Sequence, residues 1–294
     1  MRGTTETDRQ GRSFLVGLIG SGIGPSLTPP MHEREADRLG RRLVYRTIDI
    51  DVWGLPPESV GELVRSAPRY GFDGLNITHP CKQAVLPHLD GLTPDAAALG
   101  AVNTVVFEGD SAIGHNTDWS GFLEAFEIGL PDAARERVVL LGAGGAGAAV
   151  AHALLTSGTG DLVIVDPEVD RADALARALI ARFPGRSCRA APPGDVAAHV
   201  SRADGLVNAT PIGMAHHPGL PLPAALLRPP LWVADIVYRP LRTALLDEAE
   251  RRGCATLSGG GMAVFQAVRA FELITGLAPD SDRMRAHFAD LAAG

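Results

Sequence analysis

Arg137-Val-Val-Leu-Leu-Gly-Ala-Gly-Gly-Ala-Gly147 decides how this 294-residue chain folds. Its first half, Arg137 to Leu141, is a short apolar, β-branched run that predicts a buried strand. Its second half is Gly142-x-Gly144-x-x-Gly147, and the Ala-rich stretch beyond it predicts a helix. A further apolar run, Leu162 to Val165, predicts the next strand and ends in Asp166. Glycine runs alone are weak signals, but strand, glycine turn, helix and a following acid form the pattern of a dinucleotide-binding βαβ unit. Each glycine has its own reason. Gly142 permits the tight turn, Gly144 admits a pyrophosphate against the backbone, and Gly147 lets helix and strand pack closely. The helix start adds unpaired N–H groups and the positive dipole end. Gly142, Ala143, Gly144, Gly145, Ala146 and Gly147 are therefore the candidate phosphate cradle. Asp166 is the candidate acceptor for the adenosine ribose hydroxyls. A merely glycine-rich helix start leaves Asp166 unexplained. The local sequence Val165-Asp166-Pro167-Glu168 is doubly acidic, with Arg171 a turn later. A carboxylate there repels the extra phosphate of NADP, so NAD is the favoured cofactor.

Working outward, Phe14 to Ile19 and Val44 to Ile48 predict strands. Met31 to Leu39 and Glu58 to Arg65 predict helices. A strand at Leu75-Ile77 precedes a helix opened by Pro80. Val102 to Phe107 and Ser111 to Ile113 predict two strands joined by a turn at Glu108-Gly-Asp110. This alternation predicts a largely parallel α/β sheet. Asp118 to Ile128 reads as a helix that opens a new unit. Beyond the glycine motif, a helix is predicted over Arg171 to Arg182. Strands are predicted at Gly205-Leu-Val-Asn-Ala-Thr210, Leu231-Trp-Val-Ala-Asp235 and Cys254-Ala-Thr-Leu257. The closing helices, Met262 to Ile274 and Asp282 to Leu291, are too few residues for a domain and must bury their apolar faces elsewhere. The expected organisation is α/β with two domains. Residues 1–117 with 262–294 form a discontinuous substrate domain, 118–261 form a Rossmann-type dinucleotide-binding domain, and a cleft lies between them.

Composition excludes several classes. Apolar content of 46% and charged content of 21% describe a globular chain. A net charge of −7 without a basic run argues against a nucleic-acid partner. Val138 to Leu155 approaches membrane-span length, but its glycines belong to the motif above, so no membrane segment is expected. Met1 to Arg12 lacks the apolar core of a signal peptide and reads as a disordered lead. Cys81, Cys188 and Cys254 are odd in number and lack metal spacing, which suits reduced thiols in the cytoplasm. His216-His217 has no third ligand, and His32-Glu33 lacks the second histidine of a zinc helix, so no metal is expected.

A second constellation lies upstream. Gly71-Phe-Asp-Gly-Leu-Asn-Ile-Thr-His-Pro-Cys-Lys82 presents Asn76, Thr78 and Lys82 at a strand-to-helix corner. Gly100-Ala-Val-Asn-Thr104 and Gly114-His-Asn-Thr-Asp118 each set amides, a hydroxyl or a carboxylate beside an apolar strand. A hydride leaves a carbon only as its hydroxyl loses a proton, so an acid–base group must lie within hydrogen-bond reach. Lys82 fits that role, and Asp118 fits as the carboxylate that orients it. The bland reading is a simple ion pair.

Together these stretches resemble the shikimate/quinate dehydrogenase family from Leu18 to about Arg285. The motifs that carry the resemblance are Ser26-Leu-Thr28-Pro, Asn76-Ile-Thr-His-Pro-Cys-Lys82, Ala101-Val-Asn-Thr104, Asn116-Thr-Asp118, Gly142-Ala-Gly-Gly-Ala-Gly147, Asn208-Ala-Thr-Pro211 and Gly261-Met-Ala-Val-Phe-Gln266. The chain looks most like the NAD-using quinate/shikimate branch. Ser-x-Thr replaces the more usual Ser-x-Ser, and Asp166 stands where NADP-dependent members carry an Asn-Arg-Ser/Thr stretch. The resemblance implies reversible hydride transfer between a ring hydroxyl of a cyclic hydroxy carboxylate, quinate or shikimate, and nicotinamide. It implies Lys82 and Asp118 as the catalytic pair. It gives Ser26 and Thr28 to the substrate carboxylate, and Asn76, Thr78, Asn103 and Gln266 to the remaining substrate oxygens. Asn208, Ala209 and Thr210 match the loop beside the cofactor, and Val237 and Gly259 match residues near the nicotinamide. For Ser26 and Thr28 the competing role is loop and helix capping, and for Gln266 a satisfied polar group on an apolar helix. Two alternative functions stay open: a dehydrogenase for an amino analogue of these substrates, and a dinucleotide-responsive binding protein without turnover. A monomer or homodimer is expected.

Overall fold

A computed structural model describes residues 12–293. All but the last residue of the segment read as a disordered lead lies outside them. The chain divides into two compact units. The first holds the described residues up to Thr117 and those from Ala267 onward, and the second spans Asp118–Gln266.

The first unit opens with β1 (Ser13–Gly20), an apolar run buried along most of its length. Helix α1 (Thr28–Arg38) starts on Pro29 and Pro30, whose missing N–H groups cost nothing in a first turn, and buries Met31, His32, Glu35 and Ala36. Strand β2 (Arg42–Asp49) alternates, with Leu43 and Tyr45 inward and Val44 outward. There follow α2 (Val60–Ser66), β3 (Gly74–Ile77), α3 (Cys81–Ala84), β4 (Gly91–Leu92), α4 (Pro94–Leu99), β5 (Thr104–Glu108) and β6 (Ser111–His115). The sheet order is β2-β1-β3-β5-β6-β4. Strands β2, β1 and β3 are parallel, whereas β5 runs antiparallel to both β3 and β6. Five of the six strands point the same way, as the expectation of a largely parallel sheet has it, and β5 alone runs against them. The physical reason is the turn itself: Glu108 pairs with Ser111 across Gly109 and Asp110, and a two-residue hairpin joins only antiparallel strands.

The second unit runs α5 (Asp118–Gly129), β7 (Arg137–Leu141), α6 (Gly145–Thr156), β8 (Asp161–Val165), α7 (Val169–Arg182), β9 (Ser187–Ala191), α8 (Val196–Val200), β10 (Gly205–Asn208), β11 (Trp232–Asp235), α9 (Ala244–Arg251), β12 (Thr256–Ser258) and the part of α10 (Gly259–Thr275) up to Gln266. Its sheet is wholly parallel, in the order β12-β11-β10-β7-β8-β9. The winding reverses between β7 and β10, the switch point at which open α/β sheets bind ligands. One face buries Phe126, Leu154 and Ile164, and the other buries Leu206, Val233 and Leu245. Strand β9 and helices α8 and α9 went unread in the sequence, as did β4 and α4. The β9 stretch, Ser187-Cys-Arg-Ala-Ala191, is low in β-branched residues and carries little strand signal of its own.

From Ala267 onward the chain belongs to the first unit. Phe271 and Ile274 pack with Phe14, Val16 and Ile23. In α11 (Ser281–Ala293), Arg283 pairs with the buried Glu35 of α1, whose carboxylate also accepts the Asp280 N–H at 2.8 Å. His32 sits between the rings of Tyr45 and Phe271, and burial pulls its pKa from 6.5 to about 3. The unfolded chain therefore binds the extra proton between those values. The stability conferred by a neutral His32 is complete above about pH 6.5 and lost as pH falls toward 3. Urea unfolding of the parent should show stability dropping over that window, and His32→Leu should flatten the drop. An identical pH dependence in the variant would exclude His32 as its source.

Candidate active site

In the first unit, the corner after β3 docks on the end of β1. The Thr78 N–H donates to Ile19 O at 2.9 Å and the Ser21 N–H to His79 O at 2.9 Å. Gly20 is required there, because a Cβ would lie 2.3 Å from the Thr78 methyl. Pro80 caps the short helix α3 rather than sitting inside it, and Lys82, half-buried, follows one residue into that helix. The Lys82 carbonyl accepts from Val102 N at 2.9 Å, which ties the corner to the Ala101-Val-Asn-Thr104 stretch.

Asn76 and Asn103 are both buried. Asn76 accepts from the Tyr45 hydroxyl at 2.5 Å and donates to Asn103 O at 3.2 Å and Thr104 Oγ1 at 3.0 Å. Burial raises the Tyr45 pKa, so its hydroxyl stays a donor. Asn103 accepts from Thr117 N at 2.8 Å and donates to Thr117 Oγ1 at 2.9 Å, while Asn116 donates to Ala101 O at 3.0 Å. These amides stitch three consecutive motifs into one polar cluster. Ser26 and Thr28 are half-buried at the entry to α1, and Ser26 Oγ accepts from Thr28 N at 3.3 Å.

Asp49 went unread in the sequence. From the end of β2 its carboxylate accepts the N–H groups of Ile23 at 2.9 Å, Gly22 at 3.2 Å and Asp51 at 3.1 Å, and Ser21 Oγ bonds Asp51. Partial burial pushes its pKa up, but the amides of Ile23, Gly22, Asp51 and Val52 outweigh that and hold it below the usual carboxylate value. The loop that carries Ser26 is thus clasped to the sheet. The local signal was faint: an acid closing an apolar strand, opposite a Gly-rich loop.

In the second unit, Gly142 adopts φ 98° and a Cβ there would lie 2.7 Å from Ala209 O. A Cβ on Gly147 would lie 2.1 Å from Gly142 O. Gly144 and Gly145 are exposed and have open space around their would-be Cβ positions. The first N–H groups of α6 lack intrahelical partners, so loop and helix start together fit the phosphates of a dinucleotide. Asp166 is almost wholly buried, at 1% exposure. It accepts from Ala143 N at 2.7 Å, Glu168 N at 2.8 Å, and Arg171 at 2.8 and 3.0 Å. Burial alone would raise its pKa; these donors lower it overall. The four acceptor positions of a carboxylate are therefore filled from within the protein. Arg171 also pairs with Glu168 at 2.9 Å.

Asn208 is fully buried. It accepts from Thr210 Oγ1 at 2.6 Å and Thr210 N at 3.1 Å, and donates to Ile212 O and Asp235 Oδ1, both at 2.9 Å. Asp235 is a second acid that sequence reading passed over, although it closes an apolar strand. It accepts from Val237 N at 3.1 Å and Thr243 Oγ1 at 2.7 Å, and burial raises its pKa. A Cβ on Gly259 would lie 2.3 Å from Ile236 O, so the start of α10 is pressed against the residues that follow β11. Asp118 is buried in the first turn of α5, where the helix dipole favours a carboxylate. Half-buried Gln266 lies on α10 where α5 approaches it, since a Cβ on Gly121 would meet Gln266 N at 2.6 Å.

Among the described residues no cluster of His, Cys, Asp or Glu suits a metal ion, and no helix is long and apolar enough to cross a membrane. The three cysteines are buried and unpaired.

Residues 18–105 match the shikimate dehydrogenase substrate binding domain, and residues 124–214 match the shikimate / quinate 5-dehydrogenase family. The chain belongs to the shikimate/quinate dehydrogenase family. It is 64% identical to a shikimate dehydrogenase (NADP(+)) of Streptomyces avermitilis, over 95% of this chain and 96% of that one. It is 49% identical to a quinate/shikimate dehydrogenase (NAD(+)) of Corynebacterium efficiens, over 95% and 99%. The quinate dehydrogenase of Corynebacterium glutamicum, solved in complex with NAD, superposes with a TM-score of 0.89 at 45% identity, covering 95% of this chain and 99% of that one. The chain is thus an oxidoreductase that works with a nicotinamide dinucleotide.

The glycines separate two effects. Gly144→Ala meets no protein atom, so it should keep the parental Tm while weakening dinucleotide binding at least tenfold, or about 1.4 kcal/mol. Gly147→Ala must push α6 off the Gly142 carbonyl and should lower both Tm and affinity. Fluorescence titration with thermal melts checks this; parental affinity in Gly144→Ala would show that the backbone there does not approach the ligand.

Proposed function

We propose that the protein is an NAD-dependent dehydrogenase that reversibly oxidises a ring hydroxyl of quinate, shikimate or both to the 3-dehydro ketone. The observation that carries the cofactor choice is the Asp166–Arg171–Glu168 arrangement. Arg171 is the cation nearest the end of β8 in sequence, and two carboxylates already compensate its charge. A 2′-phosphate brought there gains little from Arg171 and faces Asp166 and Glu168. The ribose diol of NAD carries no such charge.

In this reading the bound dinucleotide supplies the hydride acceptor or donor at its nicotinamide ring. The residues do the rest. Lys82 takes the proton of the reacting hydroxyl and returns it in the reverse direction, with Asp118 as its carboxylate partner. Ser26 and Thr28 hold the substrate carboxylate, and Thr78, Asn103 and Gln266 hold the remaining oxygens. Asn76, committed to Tyr45, Asn103 and Thr104, serves by fixing Asn103. Asn208 keeps Ala209 and Thr210 beside the glycine loop, and Val237 and Gly259 border the nicotinamide. A second reading, an NADP-dependent shikimate dehydrogenase, is favoured by the Streptomyces relative.

Steady-state kinetics with quinate and shikimate, each with NAD and NADP, decide between them. The expected kcat/KM favours NAD by about a hundredfold, taking about 1.4 kcal/mol per factor of ten. A preference for NADP establishes the second reading. Lys82→Ala should abolish turnover and leave dinucleotide affinity intact; a near-parental kcat would remove Lys82 from the chemistry.

Asp49 gives a further expectation. Asp49→Ala releases the Gly22–Ile23 amides and loosens the loop that presents Ser26, so KM for the carboxylate substrate should rise severalfold with a smaller change in kcat. Dinucleotide affinity should not move. An unchanged KM would disconnect that loop from substrate binding.

A further inference from the structure

A cavity of about 230 Å³ lies in the second unit at the ends of β7 and β8 remote from the glycine loop. Arg137, the first residue of β7, lines it, whereas Gly142 follows the last. Five residues of strand separate them, or about 16 Å at about 3.3 Å per residue. The cavity is therefore distinct from the dinucleotide cradle.

Its walls are unusual for a chain of net charge −7. Arg137, Arg189, Arg202 and His199 all line it, with Asp161 as the one acid. Asp161 is taken by its ion pair with Arg189. Asp204, two residues beyond Arg202, accepts the Arg137 backbone N–H at 2.8 Å. Among the described residues, the Arg137 and Arg202 guanidiniums thus have no salt-bridge partner, and both residues line one concavity. Two like charges placed so repel each other, and an anion between them reverses the sign of the interaction. Planar guanidinium forks match the oxygens of a phosphate, and His199 adds a ring N–H. Val139 and Val163 give the cavity an apolar part as well. Its volume is below the usual range for drug-sized ligands, which suits a phosphate group with a short organic tail.

We propose that this cavity binds a small phosphate-bearing anion, with Arg137 and Arg202 on the phosphate and the valines under the tail. The probes are inorganic phosphate and glycerol 3-phosphate, titrated at constant ionic strength against chloride. The protein is saturated with dinucleotide throughout, so that the catalytic phosphate cradle is closed to the probe. Binding only the folded state raises Tm with ligand concentration. The expected result is a phosphate-specific rise in Tm and a one-to-one binding isotherm. Both should weaken at least tenfold in R137Q/R202Q and be largely restored in R137K/R202K. Both arginines are surface-exposed, so neither substitution threatens folding. Tighter binding of glycerol 3-phosphate assigns the site to a phosphomonoester, and equal binding assigns it to free phosphate. A rise in Tm matched by chloride, or one unchanged in R137Q/R202Q, overturns the proposal.

Discussion

The second unit depends on a contact that no side chain could share. At Gly147 a Cβ would lie 2.1 Å from the carbonyl oxygen of Gly142, so α6 reaches the end of β7 only because residue 147 is glycine. That approach sets the helix N-terminus at the end of the strand. It also leaves Gly144 and Gly145 facing open space, which a diphosphate can occupy. Ala148, Ala149, Ala151 and Ala153 are buried on α6 together with Val150, Leu154 and Leu155.

A second device recurs at three strand ends. Asp49 closes β2 and binds the amides of the loop after β1. Asp166 closes β8 and binds the amide of Ala143 in the loop after β7. Asp235 closes β11, accepts from Asn208 at the end of β10, and holds the Val237 amide. In the first two a carboxylate from one strand fixes a loop that leaves its neighbour; in the third it fixes the loop after its own strand and the end of the neighbouring strand. Ile23, Ala143 and Val237 in these loops are buried as well, and the hydrogen bonds to a charged acceptor, worth about 1.5–3 kcal/mol each, add to that packing.

The sequence revealed what local chemistry dictates and hid what distant partners dictate. The glycine motif was legible because each glycine answers a backbone constraint a few residues away. The hairpin at Gly109 was legible for the same reason. Strand β9 was illegible because its pairing with β8, not its composition, makes it a strand. The clasp from Asp49 to Ile23 spans 26 residues, and the bond from Asp166 to Ala143 spans 23. Neither leaves a periodic trace. Asn76 was legible from its motif, whereas its bond to Tyr45, a strand away, was not.

Asp166 carries two duties that pull against each other as a selector. It anchors the glycine loop through Ala143, and it neutralises Arg171. Removing its charge would free a cation for a 2′-phosphate and at the same time release the loop that must cradle the diphosphate. A change of cofactor by that route weakens what the two dinucleotides share. Glu168 is different. Its side chain is 70% exposed and pairs with Arg171, while only its backbone N–H touches Asp166. Charge around Arg171 can therefore be altered at Glu168 without disturbing the loop. Relatives named for NAD and for NADP both align with this chain over 95% of its length. A fold that keeps the anchor and varies the exposed neighbour can cross between the two cofactors without rebuilding its cradle.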